Sequence, residues 1–132
     1  MTKAKILIAE DDPDFRDSLR AVLESQNYTV ITAVNKADGM EKIKAEKPDL
    51  AILDIMMATW VDGLQMSREL KNDPQFKDMP ILILTGIKTE TGMDLKPTVG
   101  DPNWCPVDAY LEKPIEPDIF LEEVSKLLAV KT

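Results

Sequence analysis

Apolar residues cluster in three short runs, Ile6-Leu7-Ile8-Ala9, Leu50-Ala51-Ile52-Leu53 and Ile81-Leu82-Ile83-Leu84, separated by mixed segments, several with helical spacing. Near-continuous runs of this length, preceded by turn signals such as Pro48-Asp49 and Met79-Pro80, read as strands covered on both faces. The first strand, Lys5–Ala9, runs into Glu10-Asp11-Asp12. Asp12 followed by Pro13 predicts a helix start, with a side-chain cap and then proline at the first helical position. Phe15, Leu19, Val22 and Leu23 recur at the spacing of one helical face. A β-branched stretch, Tyr28 to Ala33, predicts the second strand. Asn35 to Glu46 predicts the second helix, with Ala37, Met40 and Ile43 facing inward.

The third strand ends in a single carboxylate, Asp54, and Gly63 to Asn72 predicts a third helix with Leu64, Met66 or Ser67, and Leu70 inward. Asp73-Pro74 breaks it. Ile81–Thr85 is the fourth strand, Ala109–Glu112 a short fifth, and Glu116-Pro117 opens a last helix with an apolar stripe of Ile119, Phe120, Val124, Leu127 and Leu128. One stretch breaks the rhythm. Gly86, Gly92, Pro97, Gly100, Pro102 and Pro106 fall where alternation calls for a fourth helix, and interior Gly and Pro disfavour helix by roughly 1 and 3 kcal/mol each. The expectation is at most a short helix near Lys88 to Leu95, then a loop through Trp104. Alternating strand and helix predict an α/β fold, a parallel sheet with helices on both faces. With no repeat and no linker, residues 1–132 read as a single domain.

Composition changes this picture little, but it removes several chemistries. Of 132 residues, 44% are hydrophobic and 30% charged, as in a soluble globular domain. No apolar run approaches the ~20 residues that span a membrane, and the N-terminus lacks the apolar core of a signal peptide. The expected location is the cytoplasm, without membrane insertion. One cysteine, Cys105, and no histidine exclude an internal disulfide, a multi-thiolate metal site, a Ser-His-Asp triad and a phosphohistidine on this chain. A net charge of −8 argues against direct nucleic-acid binding, where phosphate contacts dominate. It suits a divalent cation or a basic partner.

In a parallel sheet the carboxyl ends of the strands share one edge, where ligands bind. That edge would gather Glu10 and Asp11 after the first strand, Asp54 after the third, Thr85 after the fourth and Lys113 after the fifth. Singly, each has an ordinary explanation: a helix cap, a strand threonine, a solvated lysine. Together the carboxylates repel one another and need a cation, and hard oxygen ligands suit Mg²⁺. Beside it Asp54 could stay ionised as a nucleophile, with Lys113 and Thr85 as donors to an arriving phosphoryl group.

On Ile6-Leu7-Ile8-Ala9-Glu10-Asp11-Asp12-Pro13, Leu53-Asp54-Ile55-Met56-Met57, Asp62-Gly63, Pro80 to Thr85 and Asp108-Ala109-Tyr110-Leu111-Glu112-Lys113-Pro114, the chain resembles a response-regulator receiver domain of two-component signalling, from Lys5 to about Val130. The resemblance implies a flavodoxin-like sheet of order 2-1-3-4-5 and Asp54 as phospho-acceptor. It implies Mg²⁺ held by Asp11, Asp54 and the backbone carbonyl of Met56, with Glu10 behind them. Thr85 would be the switch hydroxyl, Lys113 the phosphate-pairing lysine, Tyr110 the switch aromatic, and Lys113-Pro114 a cis bond. The implied partners are a sensor histidine kinase or phosphotransfer protein and a downstream target protein. The domain would be a switch and not an enzyme, catalysing only its own phosphoryl uptake and hydrolysis. Two other functions compete: a receiver-like interaction module independent of phosphorylation, against which the intact set of Asp11, Asp54, Thr85 and Lys113 speaks, and an aspartyl-phosphate phosphatase. The latter wants a second acid where Met56 stands.

The chain departs from the family pattern in four places. Ala58 replaces the proline usual four residues after the acceptor. Gly63 lies one residue late, behind Thr59-Trp60-Val61, and Gly86 follows Thr85 where alanine is common. Residues 86–112 also form a longer stretch than usual between Thr85 and Lys113. This predicts that the protein does not use the common phosphorylation-driven dimer, and that Trp104-Cys105-Pro106-Val107 binds a partner or covers the sheet edge. Limited proteolysis tests this: cleavage within residues 88–106 is expected to slow with Mg²⁺ and a phosphoryl analogue. Equal rates would make the stretch an insertion without a role in binding.

Overall fold

The computed structural model describes residues 4–54, 60–85, 109–112 and 115–131. Its elements are β1 (Lys5–Ala9), α1 (Pro13–Glu24), β2 (Thr29–Ala33), α2 (Lys36–Glu46), β3 (Leu50–Asp54), α3 (Trp60–Asn72), β4 (Ile81–Thr85), β5 (Ala109–Glu112) and α4 (Pro117–Lys131). All strand pairs are parallel and the sheet order is β2-β1-β3-β4-β5. The expected α/β sheet and its order are therefore present.

The apolar runs are continuous because each strand feeds two cores. Side chains alternate across a strand, so Ile6, Ile8, Leu50, Ile52, Leu82 and Leu84 face one side. There they meet Leu19 and Leu23 of α1 and Phe120, Val124 and Leu127 of α4. Leu7, Ala9, Ala51, Leu53, Ile81 and Ile83 face the other, against Ile43 of α2 and Met66 and Leu70 of α3. Each fully buried aliphatic side chain contributes roughly 1.5–3 kcal/mol relative to exposure.

Helix boundaries follow local chemistry. Asp12 caps α1, accepting from the amides of Asp14 and Phe15, with Pro13 opening the helix. Asn35 caps α2 through the amide of Asp38, and Lys47 closes it in a left-handed conformation with φ 49°. Asn27, after α1, also takes a positive φ of 69°, which asparagine tolerates better than most residues. On the exposed side of α4, the hydrogen bond to Glu122 and the charges of Glu122 and Glu123 hold the Lys126 ammonium above the ordinary lysine value. Solvent screens these pairs, so they add little to stability.

Three expectations need correction. The third helix begins at Trp60, not Gly63, so Trp60 and Val61 belong to a helix and not to a loop. In α2, Ala37 is exposed, and the inward face is Gly39 with Ile43, flanked by Met40. A glycine carries no apolar side chain to mark a stripe, so the pattern read from the sequence was centred off the true face. Ile119 is 48% exposed; the α4 stripe is centred on Phe120, Val124 and Leu127, with Leu128 at its margin. The expected short fourth helix, the loop through Trp104, the Trp104–Val107 segment, Ala58 and Gly86 lie outside the described residues.

Gly39 is where α2 sits closest on its neighbours. A β-carbon there would stand 2.6 Å from Met66 Cε and 3.6 Å from Ala9 Cβ. The methionine end is flexible, whereas the β1 backbone beyond it is not. Gly39→Ala is therefore expected to change stability by less than about 1 kcal/mol, its helix-propensity gain offsetting the displaced methyl. Gly39→Leu should cost about 2–3 kcal/mol by overpacking. Urea unfolding distinguishes the two, and equal midpoints would show that α2 is not seated through Gly39.

Candidate functional site at the carboxyl edge of the sheet

The polypeptide leaves β1 for β2 on one side and later enters β3 on the other. The switch point of this sheet therefore lies between β1 and β3, the place where helices diverge and ligands bind. Ala9 pairs with Leu53, which brings Glu10 beside Asp54 at the ends of adjacent strands. Asp54 in turn pairs with Leu84, and Thr85 with Glu112. With strands about 5 Å apart, the backbone of Asp54 lies between the Glu10-Asp11 turn and Thr85. Tyr110 pairs with Ile83, one register step of two residues back from the edge.

The turn from β1 into α1 is tightly hydrogen-bonded. The Glu10 amide donates to the carbonyl of Ala33 at 3.0 Å, tying the end of β1 to the end of β2. Glu10 is only 1% exposed, an unusual place for a carboxylate. Its Oε1 accepts the Asp12 amide at 3.1 Å. Asp12 Oδ1 then accepts the amides of Asp14 at 3.0 Å and Phe15 at 3.4 Å. Arg16 reaches back from the first turn of α1, and its Nη1 donates to the Glu10 carbonyl at 2.9 Å. Asp11, between these anchored residues, is exposed to solvent.

The described part of the site thus supplies one buried and one exposed carboxylate side by side. Asp54 and Thr85 are placed through their backbones alone, and Tyr110 likewise; the side chains of these three lie outside the described residues. Met56, Lys113 and Pro114 lie outside them altogether. Among the described residues no three acidic or sulfur-bearing side chains converge tightly enough to hold a metal. A cation at this edge would need Asp54 in addition to Asp11. The donor set is all oxygen, which fits Mg²⁺ and not zinc or copper. Arg16 was missed in the sequence. The available signal was that it is the sole basic residue among five carboxylates between Glu10 and Asp17.

Residues 6–125 match the family model of the response regulator receiver domain. The chain belongs to that family, whose members accept a phosphoryl group in two-component signalling and generally use Mg²⁺. It is 32% identical to the protein PilH of Pseudomonas aeruginosa, over 96% of this chain and 98% of the relative. It is 35% identical to the response regulator Rre1 of Synechocystis, over 94% of this chain and 51% of Rre1. The response regulator MprA of Mycobacterium ulcerans is 33% identical over 94% of this chain and 50% of its own. The chain therefore spans about half the length of Rre1 and MprA. Among solved structures, a CheY-like receiver domain protein from Methanospirillum hungatei superposes with a TM-score of 0.82 at 28% identity, covering 99% of this chain and 97% of that one. The chemotaxis response regulator CheY4 of Vibrio cholerae gives 0.78 at 25% identity over 96% and 99%. The flavodoxin-like fold and the signalling-switch class thus agree with the reading of the sequence.

The Asp12 cap has a direct test. Asp12→Ala removes the acceptor of two otherwise unpaired helix-start amides and is expected to lower stability by about 1 kcal/mol in urea unfolding. An unchanged midpoint would mean that the Pro13 start and the Arg16 contact hold the turn without the cap.

Proposed function

We propose that Asp54 is the phospho-acceptor of this receiver domain, taken here as residues 1–132. A carboxylate oxygen of Asp54 attacks phosphorus, the N–P bond to a donor histidine breaks, and the phosphoryl group moves to the aspartate. Water later cleaves the acyl phosphate, returning the carboxylate and inorganic phosphate. The donor is a sensor histidine kinase or a phosphotransfer protein, which must supply the histidine because this chain has none. The altered surface is then read by a downstream protein, and the chain works in the cytoplasm. Among the described residues no helix is long and apolar enough to cross a membrane.

The observation that supports this reading is the register at the sheet edge. Pairing of Ala9 with Leu53 and of Asp54 with Leu84 puts the Asp54 backbone between the acidic turn and the end of β4. Asp11, Asp54 and the Met56 carbonyl would hold Mg²⁺, with Glu10 buried behind them. Bound there, the cation neutralises charge on the transferred group. Glu10, fixed at its Oε1 by the Asp12 amide, keeps Asp11 at the rim. Thr85 and Lys113 act as the hydroxyl and ammonium donors to the phosphoryl oxygens, and Tyr110 on β5 responds to the movement of Thr85. Such a switch has only to bias two conformations by a few kcal/mol.

Intact mass after incubation with acetyl phosphate and Mg²⁺ tests the assignment. The wild type is expected to gain one phosphoryl group, and Asp54→Ala none. Equal incorporation in both would move the acceptor elsewhere. Omitting Mg²⁺, or replacing Asp11 with Ala, is expected to reduce incorporation strongly.

A further inference from the structure

We infer that Arg16 is a positioning residue for the cation site, acting through the peptide that links Glu10 to Asp11. This rests on the reading of the site proposed above. The Arg16 Nη1 donates to the Glu10 carbonyl oxygen at 2.9 Å. A peptide unit is planar, so anchoring that oxygen also sets the direction of the Asp11 amide and the plane from which the Asp11 side chain departs. The Glu10 residue is held at two further points, its amide on Ala33 and its Oε1 under the Asp12 amide. Asp11 is flanked by these anchors, yet its own side chain is exposed. The Asp11 side chain departs from a backbone held at these points, and Arg16 is the charged donor to that backbone from the helix. A hydrogen bond with an ionised donor is about twice as strong as a neutral one.

Arg16 also brings a positive charge near a cation site, which opposes metal binding. Two effects of opposite sign then compete. Arg16 is half-exposed, and exposed charges are screened by water and salt, so its repulsion of the cation is small. Loss of a group that orients a metal ligand typically weakens binding by 10–100-fold. The positioning effect wins, at the lower end because Arg16 acts on the backbone and not on the ligand itself. A lysine can serve in its place, since the contact is a single N–H to a carbonyl and not a bidentate fork.

Titration of ¹⁵N-labelled full-length chain with magnesium chloride, followed by amide shifts of residues 10–12, gives the dissociation constant. Thermal unfolding in metal-free buffer gives stability separately. Arg16→Met is expected to bind Mg²⁺ about tenfold more weakly than wild type and, having lost one charge-assisted hydrogen bond, to unfold cooperatively at a slightly lower temperature. Arg16→Lys is expected to recover binding to within about threefold. If Arg16→Met fails to fold, Arg16→Leu gives the same comparison, again without an N–H donor. Equal affinities in wild type and the neutral variant would overturn the role of Arg16, and so would a lysine variant as weak as the neutral one. No Mg²⁺-dependent shift in the wild type would instead overturn the cation site, and this inference with it.

Discussion

The structure depends on a parallel sheet whose three central strands, β1, β3 and β4, are buried on both faces. Ile6 to Ala9, Leu50 to Leu53 and Ile81 to Leu84 are all at most 1% exposed. An unpaired charge inside such a layer is expensive, so ionisable groups cannot stand within these strands and are displaced to their ends. Parallel pairing then aligns those ends on one side. The acidic edge is a direct outcome of covering a sheet twice. At the switch point between β1 and β3, Glu10 and the backbone of Asp54 stand at the ends of adjacent strands, with Asp11 next in the chain.

Glu10 marks the limit of this rule. It follows the last residue of β1 and is as buried as the core, so its charge must be balanced by what surrounds it. The turn supplies an amide to its carboxylate, a β2 carbonyl to its own amide and a guanidinium to its carbonyl. Each of these partners comes from a different element, and the turn is therefore fixed from β2 and α1 at once. Asp11, next to it in the chain, is solvent-exposed.

Most of the fold was legible because its signals were redundant. Asp12-Pro13, the apolar runs and the alternation of strand with helix each pointed to the same architecture, and the observed bounds of β1, β4 and β5 are those expected. Two of the errors share one cause, in that periodicity marks where apolar side chains recur and not which of them meets the sheet. Gly39 gave no apolar signal, so Ala37 was counted with Met40 and Ile43 on the inner face of α2, and Ile119 was counted in a stripe it flanks. Trp60 was placed outside its helix, whose buried Met66 and Leu70 pack with side chains of β3 and β4. At the site, strand ends were readable from spacing alone. The contact between Arg16 and the Glu10 carbonyl was not, since a side chain reaching back over one helical turn leaves no periodic trace.

The charge of the whole chain bears on how the switch would operate. A phosphoryl group brings nearly two further negative charges to a molecule already at −8, beside an acidic turn. Without a cation that addition is opposed by Glu10 and Asp11; with one, the same carboxylates become the reason the cation is present. On the proposed chemistry the two bindings are linked, and linkage is reciprocal. Whatever factor the phosphoryl group adds to cation affinity, the cation returns to the phosphorylated state. A rigid β1–α1 turn sharpens this coupling, because carboxylates that could swing apart would relax their repulsion without recruiting an ion. On that reading the hydrogen bonds around Glu10 serve the switch as well as the fold, by holding the acidic turn at the sheet edge.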